Sequence, residues 1–366
     1  MRPATFVFAG GGTGGHVLPA LAVARVLRAR GHTVQFVGVA HGMEAKLVPA
    51  ENFPIEWIQI GGLKRVGLRK TIATLLDLRP SIFRSIRILR ACKPAAVFST
   101  GGYVAGPVLA AAILTGTPIV IMEPNSVPGF THRRLAGFVY RALVSFPETM
   151  QWFPKGRAEV TGMPIRSEFF AIPRKPREEL ATILITGGSQ GSRTVNRAAQ
   201  ESWPLWADSG LKRVRLIHQT GVGMFETLSR GFAGSGLPGE ISEFIRDMPR
   251  AFAEADLVLS RSGMGTVSEL AAAGKPAILV PFPGASDDHQ LKNAQAFERA
   301  GAAKLILDRD MSGETFVREV VRITMQPGLL ESMALAARRF AKPGAAERAA
   351  EVLERLAEQL QAKSVV

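Results

Sequence analysis

Apolar and polar positions along this chain switch between two periods. Short apolar runs recur at Thr5–Ala9, Thr33–Val37, Ala95–Ser99, Pro118–Met122, Leu143–Phe146, Thr182–Thr186, Val214–Gln219, Leu257–Ser260 and Ala277–Pro281. Helical patterns of about 10–15 residues sit between many of them. Continuous apolar runs suit strands buried on both faces, so the alternation predicts βαβ units and parallel sheets. The first run passes straight into Gly10-Gly11-Gly12-Thr13-Gly14-Gly15-His16, with an amphipathic helix beginning around Pro19.

The pattern also repeats. The first glycine loop has a partner in Gly187-Gly188-Ser189-Gln190-Gly191-Ser192, and Val97–Tyr103 with its small-residue helix has one in Val258–Met264. Two Rossmann-like, doubly wound parallel-sheet domains follow, with their loops facing a central cleft at the carboxyl ends of the strands. The predicted boundaries are 1–163 and 164–344, with a proline- and charge-rich linker at Pro164–Pro176. The segment 345–366 carries a charged amphipathic helix, Ala345–Gln361, whose docking the pattern does not specify.

One stretch could instead be read as a membrane span. From Pro94 to Met122 there is no charged residue, long enough to span a bilayer. Gly101-Gly102, Gly106-Pro107 and Gly116-Thr117-Pro118 instead cut it into strand, turn, helix, turn and strand.

A length of 366 residues favours two domains, and 46% hydrophobic residues exclude compositional disorder. The single cysteine excludes a disulfide framework and fits a reducing compartment. None of the six histidines stands at metal-ligand spacing from another, so no metal is expected. A net charge of +14 points to anionic partners. Without a basic-aromatic module, nucleic acid is the weakest of these. Met1-Arg2-Pro3 enters a strand at once, with no signal-peptide core.

The glycine loops are the first candidates for chemistry. Glycines let the backbone approach a ligand closely, and N–H groups at a following helix start suit a pyrophosphate. Residues 10–15 match G-x-G-x-x-G, yet the ribose-binding acid expected near residue 38 is missing, and the next acid is Glu44. His16, at the rim of the loop, reads equally as a general base or as a structural group. Ser189–Ser192 reads as a helix cap or as a second phosphate cradle. Thr266 and Glu269 have the spacing of a capping box, while Glu269 also suits a cis diol, since a carboxylate accepts two hydroxyl hydrogen bonds. Asp308-Arg309-Asp310 has the form of a metal-binding DxD but lacks companion ligands, so a solvated turn is expected. From Lys64 to Lys93, nine basic residues face one acid, Asp77, among large apolar residues such as Leu63, Leu75, Ile82 and Phe83. That is the pattern of an interfacial membrane surface.

Gly10–His16 with Pro19–Ala22, Gly101–Pro107, Glu123-Pro124-Asn125, Gly187–Arg193, His218–Gly221, Arg261–Glu269 and His289–Ala294 occur in an order that resembles the MurG family. These are UDP-N-acetylglucosamine:lipid I N-acetylglucosaminyltransferases of peptidoglycan synthesis. The resemblance covers nearly the whole chain and implies a GT-B fold with no metal and no cofactor. It implies that Phe244 and Ile245 frame the uracil and Glu269 takes the ribose hydroxyls. Ser189, Gly265 and Thr266 would hold the diphosphate region, with Thr13, Gly14, Gly15, Asn125, Arg166, Met264, His289 and Gln290 completing the UDP-GlcNAc site. Gly11, Gly12, Tyr103 and Asn196 would contact the acceptor. Met163 stands where the family usually has Asn, and His289 where Gln is frequent.

The resemblance further implies a peripheral enzyme at the cytoplasmic face of the inner membrane, reaching anionic lipid through 63–93, with cell-wall synthesis proteins as partners. The expected reaction is inverting GlcNAc transfer to the MurNAc C4 hydroxyl of lipid I, with His16 as base and Glu123 as the alternative. Three rivals are a dinucleotide oxidoreductase, which lacks its ribose acid, a non-catalytic basic module, which leaves the paired glycine loops unexplained, and a GT-B enzyme glycosylating another lipid.

Overall fold

The apolar runs become strands that all pair in parallel. The computed structural model describes residues 2–60, 78–175, 180–188, 190–211, 213–285 and 288–363. The chain divides into two units, Met1–Pro164 with Gly344–Val366, and Ile165–Pro343. In the first unit the order is β1 (Thr5–Gly10), α1 (Gly14–Ala29), β2 (Thr33–Gly38), α2 (Glu44–Ala50), β3 (Ile55–Trp57), α3 (Arg79–Cys92), β4 (Ala96–Gly101), α4 (Ala105–Thr115), β5 (Ile119–Glu123), α5 (Phe130–Leu135), β6 (Arg141–Val144) and β7 (Ala158–Val160). Its sheet runs β3-β2-β1-β4-β5-β6-β7.

In the second unit β8 (Leu180–Thr186), α6 (Arg193–Ser202), β9 (Arg213–Gln219), α7 (Phe225–Ala233), β10 (Gly239–Ser242), α8 (Met248–Glu254), β11 (Leu257–Ser260), α9 (Met264–Ala273), β12 (Ala277–Leu279), α10 (His289–Arg299), β13 (Ala303–Leu305), α11 (Gly313–Met325) and α12 (Leu329–Arg338) follow. The sheet order there is β10-β9-β8-β11-β12-β13. Each sheet reverses direction once, between β1 and β4 and between β8 and β11, and ligands of doubly wound sheets bind at such switch points.

Strand alternation builds two core layers in the first unit. Phe6 and Phe8 point into one layer with Phe36 and Phe98, while Val7 and Ala9 point into the other. The Phe8 ring lies 4.8 Å from Phe98 and 5.4 Å from Phe36, the tilted arrangement that aromatic quadrupoles favour. The uncharged stretch after Pro94 is β4, α4 and β5, and no helix among the described residues is long and apolar enough to cross a membrane. The first helix starts at Gly14, earlier than Pro19, which sits inside it with Thr13 at the N-cap.

The final helix, α13 (Ala345–Lys363), packs on the first unit. Ala349, Ala350, Leu353, Leu356 and Ala357 bury against the layer that holds Leu21 and Leu27 of α1. Polar contacts set its register. Glu354 accepts from Arg30 at 2.7 Å and pairs with His32 Nε2 at 3.2 Å, and the His32 Nδ1 accepts from the Ala4 N–H. Arg348 forks onto Glu159 at 2.6 and 2.9 Å, which raises the guanidinium pKa and lowers that of the carboxyl. Leu353→Ala is expected to cost about 2–5 kcal/mol by leaving a cavity under this helix. Urea unfolding, followed through the transition of the first unit, measures it.

Candidate active site

At the first switch point two glycine turns touch. Gly101 and Gly102 lie in the left-handed region at φ +97° and +83°, and a Cβ on Gly102 would collide with the Gly11 carbonyl oxygen. The Gly11 N–H donates to the Gly101 carbonyl at 3.4 Å. Gly12, at φ +89°, leaves room for the Tyr103 ring, whose Cε1 lies 2.5 Å from where a Cβ would stand. The loop is held from below by Glu44, which is buried and accepts from the Gly12 N–H at 2.8 Å and the Val39 N–H at 3.2 Å. The acid nearest to the ribose position of a dinucleotide site is thus committed to the loop itself. Tyr103 stacks flat on His41, 5° between planes. Burial, then the Glu44 charge, pushes its hydroxyl pKa up.

His16 opens the first turn of α1 beside that junction. Its Nδ1 lies 3.1 Å from Thr13 Oγ1, and the Thr100 hydroxyl donates to its carbonyl at 2.7 Å. The ring flanks Gly101, with Cδ2 and Nε2 3.3 and 3.4 Å from the absent Cβ. Glu123, the alternative base, is placed differently. It is 2% exposed, and its Oε1 accepts from the Asn125 backbone and side-chain amides at 3.0 and 3.1 Å. Its Oε2 accepts from the Gly129 N–H at 3.0 Å and meets His132 Nδ1 at 2.9 Å. Burial pushes its carboxyl pKa up, but His132 and the backbone donors outweigh burial and leave it below the usual range. A carboxylate with these donors and no exposed lone pair is a poor acceptor for a substrate proton. In this arrangement Glu123 orients Asn125 and the turn that follows it.

At the second switch point the loop after β8 is stapled by Gln219. Its amide donates to Thr186 Oγ1 and to the Gly188 carbonyl, at 3.2 and 3.0 Å, and its Oε1 accepts from the Ile245 N–H at 2.8 Å. One buried side chain thus ties the phosphate-type loop to the segment carrying Ile245 and the exposed Phe244. Ser192 caps α6 through the Val195 N–H, while Ser189 lies outside the described residues. Asn196, the remaining acceptor-contact candidate, lies beneath the loop. It is 1% exposed and spends its amide on the Thr220 carbonyl at 2.9 Å and on His218 Nε2 at 3.0 Å. Burial holds His218 at a pKa of about 4, so it stays neutral and donates to Asn196.

The loop after β11 leads into α9. Gly263 is the N-cap, so Thr266 falls within the first turn and Glu269 beyond it. The spacing is that of a capping box but the frame is wrong, and no capping bond forms. Glu269 has no hydrogen-bond partner among the described residues, and burial pushes its pKa up to about 7 against the opposing charge of Arg166. Arg166 is exposed, with its guanidinium 5.1 Å above the Phe169 ring. Met264, Gly265 and Thr266 form the start of α9, and beside it Gln290 Oε1 accepts from the Phe282 N–H at 3.0 Å. Ser262 donates to the Gln290 carbonyl at 2.8 Å, and His289 begins α10. Asp308–Asp310 form a short turn with Arg309 and Asp310 exposed, as expected, but the Asp308 side chain is half-buried and paired. Arg261 holds it at 2.5 Å and Thr194 donates to it at 3.1 Å. Among the described residues no group of His, Cys, Asp and Glu has metal-binding geometry.

Glu44, Gln219 and His132 were not singled out from spacing. Gln219 alone had a usable signal, as the last residue of a strand whose neighbour begins a glycine loop.

Two models of one family match this chain. Residues 6–144 match the glycosyltransferase family 28 N-terminal domain and residues 182–351 its C-terminal domain. A protein of Solibacter usitatus is 60% identical over 97% of this chain and 96% of its own length. It is named UDP-N-acetylglucosamine--N-acetylmuramyl-(pentapeptide) pyrophosphoryl-undecaprenol N-acetylglucosamine transferase. The chain belongs to the MurG family of glycosyltransferases. A relative of the same name from Azotobacter vinelandii is 42% identical over 92% of this chain and 94% of its own. The crystal structure of Acinetobacter baumannii MurG superimposes with a TM-score of 0.81 at 33% identity, covering 96% of this chain and 100% of that one. The GT-B fold of the MurG family is therefore that of this chain.

Glu269 also sets a pH dependence within this MurG-family fold. Its pKa is raised on folding, so the native state binds more protons than the unfolded chain between about pH 4.5 and 7, and stability falls as pH rises through that window. Glu269→Gln is expected to match wild type near pH 4.5 and to be more stable by about 1–3 kcal/mol at pH 8, scaled from the cost per pKa unit. Denaturant unfolding at the two pH values reads the difference.

Proposed function

We propose that this enzyme transfers GlcNAc from UDP-GlcNAc to the C4 hydroxyl of MurNAc in lipid I, with inversion at the anomeric carbon, to give lipid II. The observation that carries this reading is 60% identity, over 97% of the chain, to a transferase named for that reaction. The local geometry supports it. Each unit has glycine turns at its switch point, and such loops at helix starts suit the diphosphates of donor and acceptor.

The acceptor diphosphate lies on the Gly11-Gly12 turn beside Tyr103. Thr13, Gly14, Gly15 and Asn125 line the donor sugar from the first unit. In the second unit Phe244 and Ile245 frame the uracil, the carboxylate of Glu269 takes the ribose diol, Ser189, Gly265 and Thr266 meet the diphosphate, and Met264 completes the donor site. Arg166 adds charge there, and His289 and Gln290 contact the GlcNAc hydroxyls. His16 removes the proton as the C4 oxygen attacks the anomeric carbon from the face opposite UDP. The C–O bond to UDP breaks, and the electron pair stays on the diphosphate. The start of α9 stabilises that charge through its N–H groups and Thr266.

The enzyme works as a peripheral protein at the cytoplasmic face of the inner membrane. Residues 63–77 of the basic stripe lie outside the described residues. Its described part, α3, exposes Phe83 with Arg84, Arg87 and Arg90, and packs beside α4, where Leu114 is exposed. Apolar side chains ringed by arginine suit an anionic bilayer surface. Proteins of cell-wall synthesis are its expected partners.

Transfer of radiolabelled GlcNAc from UDP-GlcNAc to a short-chain lipid I analogue, with chelator present, tests the reaction. Product is expected, and UDP-GlcNAc binding without product would overturn the acceptor. His16→Ala is expected to lower kcat by about 10²–10⁴-fold, the usual contribution of a general base, and near-normal turnover would overturn its role. Phe83→Glu is expected to weaken sedimentation with phosphatidylglycerol vesicles while leaving transfer to a detergent-dispersed acceptor intact.

A further inference from the structure

Glu123, His132 and Ser99 are all buried and joined in a chain that the transfer step does not use. A carboxylate only accepts, so His132 Nδ1 donates to Glu123 at 2.9 Å, while Nε2 and the Ser99 hydroxyl share a hydrogen bond of 3.2 Å. Ser99 Oγ in turn accepts from the Gly101 N–H at 3.2 Å. The Gly101 carbonyl then receives the Gly11 N–H at 3.4 Å. The chain thus runs from a buried carboxylate on β5, through α5 and β4, into the glycine loop proposed to hold the acceptor diphosphate.

A buried charged pair is weak evidence for stability, because apolar residues of like volume hold two elements together at least as well. What apolar residues cannot supply is direction. Gly101 sits at φ +97°, and its N–H donates to one hydroxyl that is itself held by one imidazole. The rings of His16 and His132 flank the same Cα: His16 Cδ2 and His132 Cε1 are 3.3 and 3.4 Å from the Cβ that Gly101 lacks. Any swing of the turn moves the surface against which His16 rests.

We propose that His132 and Ser99 are positioning residues that hold the Gly101-Gly102 turn, and through it the His16 ring, at the angle from which the acceptor proton is taken. This rests on the reading of His16 as the base. Neither residue touches substrate.

His132→Asn keeps an N–H for Glu123 but is too short to reach Ser99. It is expected to lower kcat about ten- to a hundredfold, the scale of an ångström of misplacement, with the KM for UDP-GlcNAc nearly unchanged. Ser99→Ala is expected to do the same, and the double variant to fall no further than the worse single one, because both break one chain. His132→Gln, whose amide reaches the Nε2 position, is expected to recover most of the loss. Wild-type kcat in folded His132→Asn, or losses that multiply in the double variant, would overturn the proposal. If His132→Asn does not fold, the smaller Ser99→Ala change carries the test alone, and normal kcat there overturns it too. His16→Ala separates the two readings. Turnover retained in His16→Ala removes the base, and the positioning role falls with it. An inactive His16→Ala beside a fully active His132→Asn removes the positioning role alone.

Discussion

The contact between Gly11 and Gly102 is the constraint on which the first unit's site depends. Two loops from neighbouring strands, β1 and β4, meet with no room for a Cβ at Gly102. Such an approach leaves backbone groups turned away from the sheet, and buried ones need partners. Two buried carboxylates provide them. Glu44 takes the N–H groups of Gly12 and Val39, and Glu123 reaches Asn125, Gly129 and, through His132 and Ser99, Gly101. The glycine loop is therefore underlain by negative charge, and the Gly12 and Gly101 amides are held from behind.

The second unit reaches a similar end by neutral means. Gly191 and Gly221 approach so closely that a Cβ on Gly191 would strike the Thr220 carbonyl oxygen. Gln219 and Asn196, both amides, supply the cross-links in place of carboxylates. The duplicated topology thus conserves the close backbone approach rather than the residues that support it. Steric room at a turn can be met only by glycine, while a hydrogen bond has many donors and acceptors that satisfy it.

That difference also explains what was legible in the chain. The central strands announced themselves as apolar runs because both faces are buried. The strands that went unnoticed, β3, β7, β10 and β13, are the four sheet edges. Three have three residues and one has four, and their side chains are largely half-buried or exposed, so no apolar run marks them. The glycine loops were legible for the same steric reason that makes them necessary. Their supports were not: Glu44 and Gln219 act across 32 and 31 residues. The partners of Asn196, Thr220 and His218, lie 24 and 22 residues away, in the turn after β9 and on β9 itself, which spacing does not reveal. Thr266 and Glu269 misled by frame, since the helix begins at Met264 and places the pair a full turn past the cap.

The Glu269 carboxyl is where fold and chemistry pull apart. A desolvated acid normally recruits a donor, as the buried Glu44 and Glu123 do; the half-buried Glu269 has none among the described residues, and desolvation pushes its pKa up to about 7. Leaving a desolvated carboxylate without a hydrogen bond is unfavourable, so the fold is less stable with this residue than with a satisfied one. Two hydroxyls of a ribose are the kind of group that would remove the deficit, and each would lower the carboxyl pKa by bonding its ionised form. Binding of the nucleotide would then release a proton and recover the destabilisation held at α9. A site that is unsatisfied when empty discriminates strongly against ligands lacking the missing donors, because those would bury the deficit instead of relieving it.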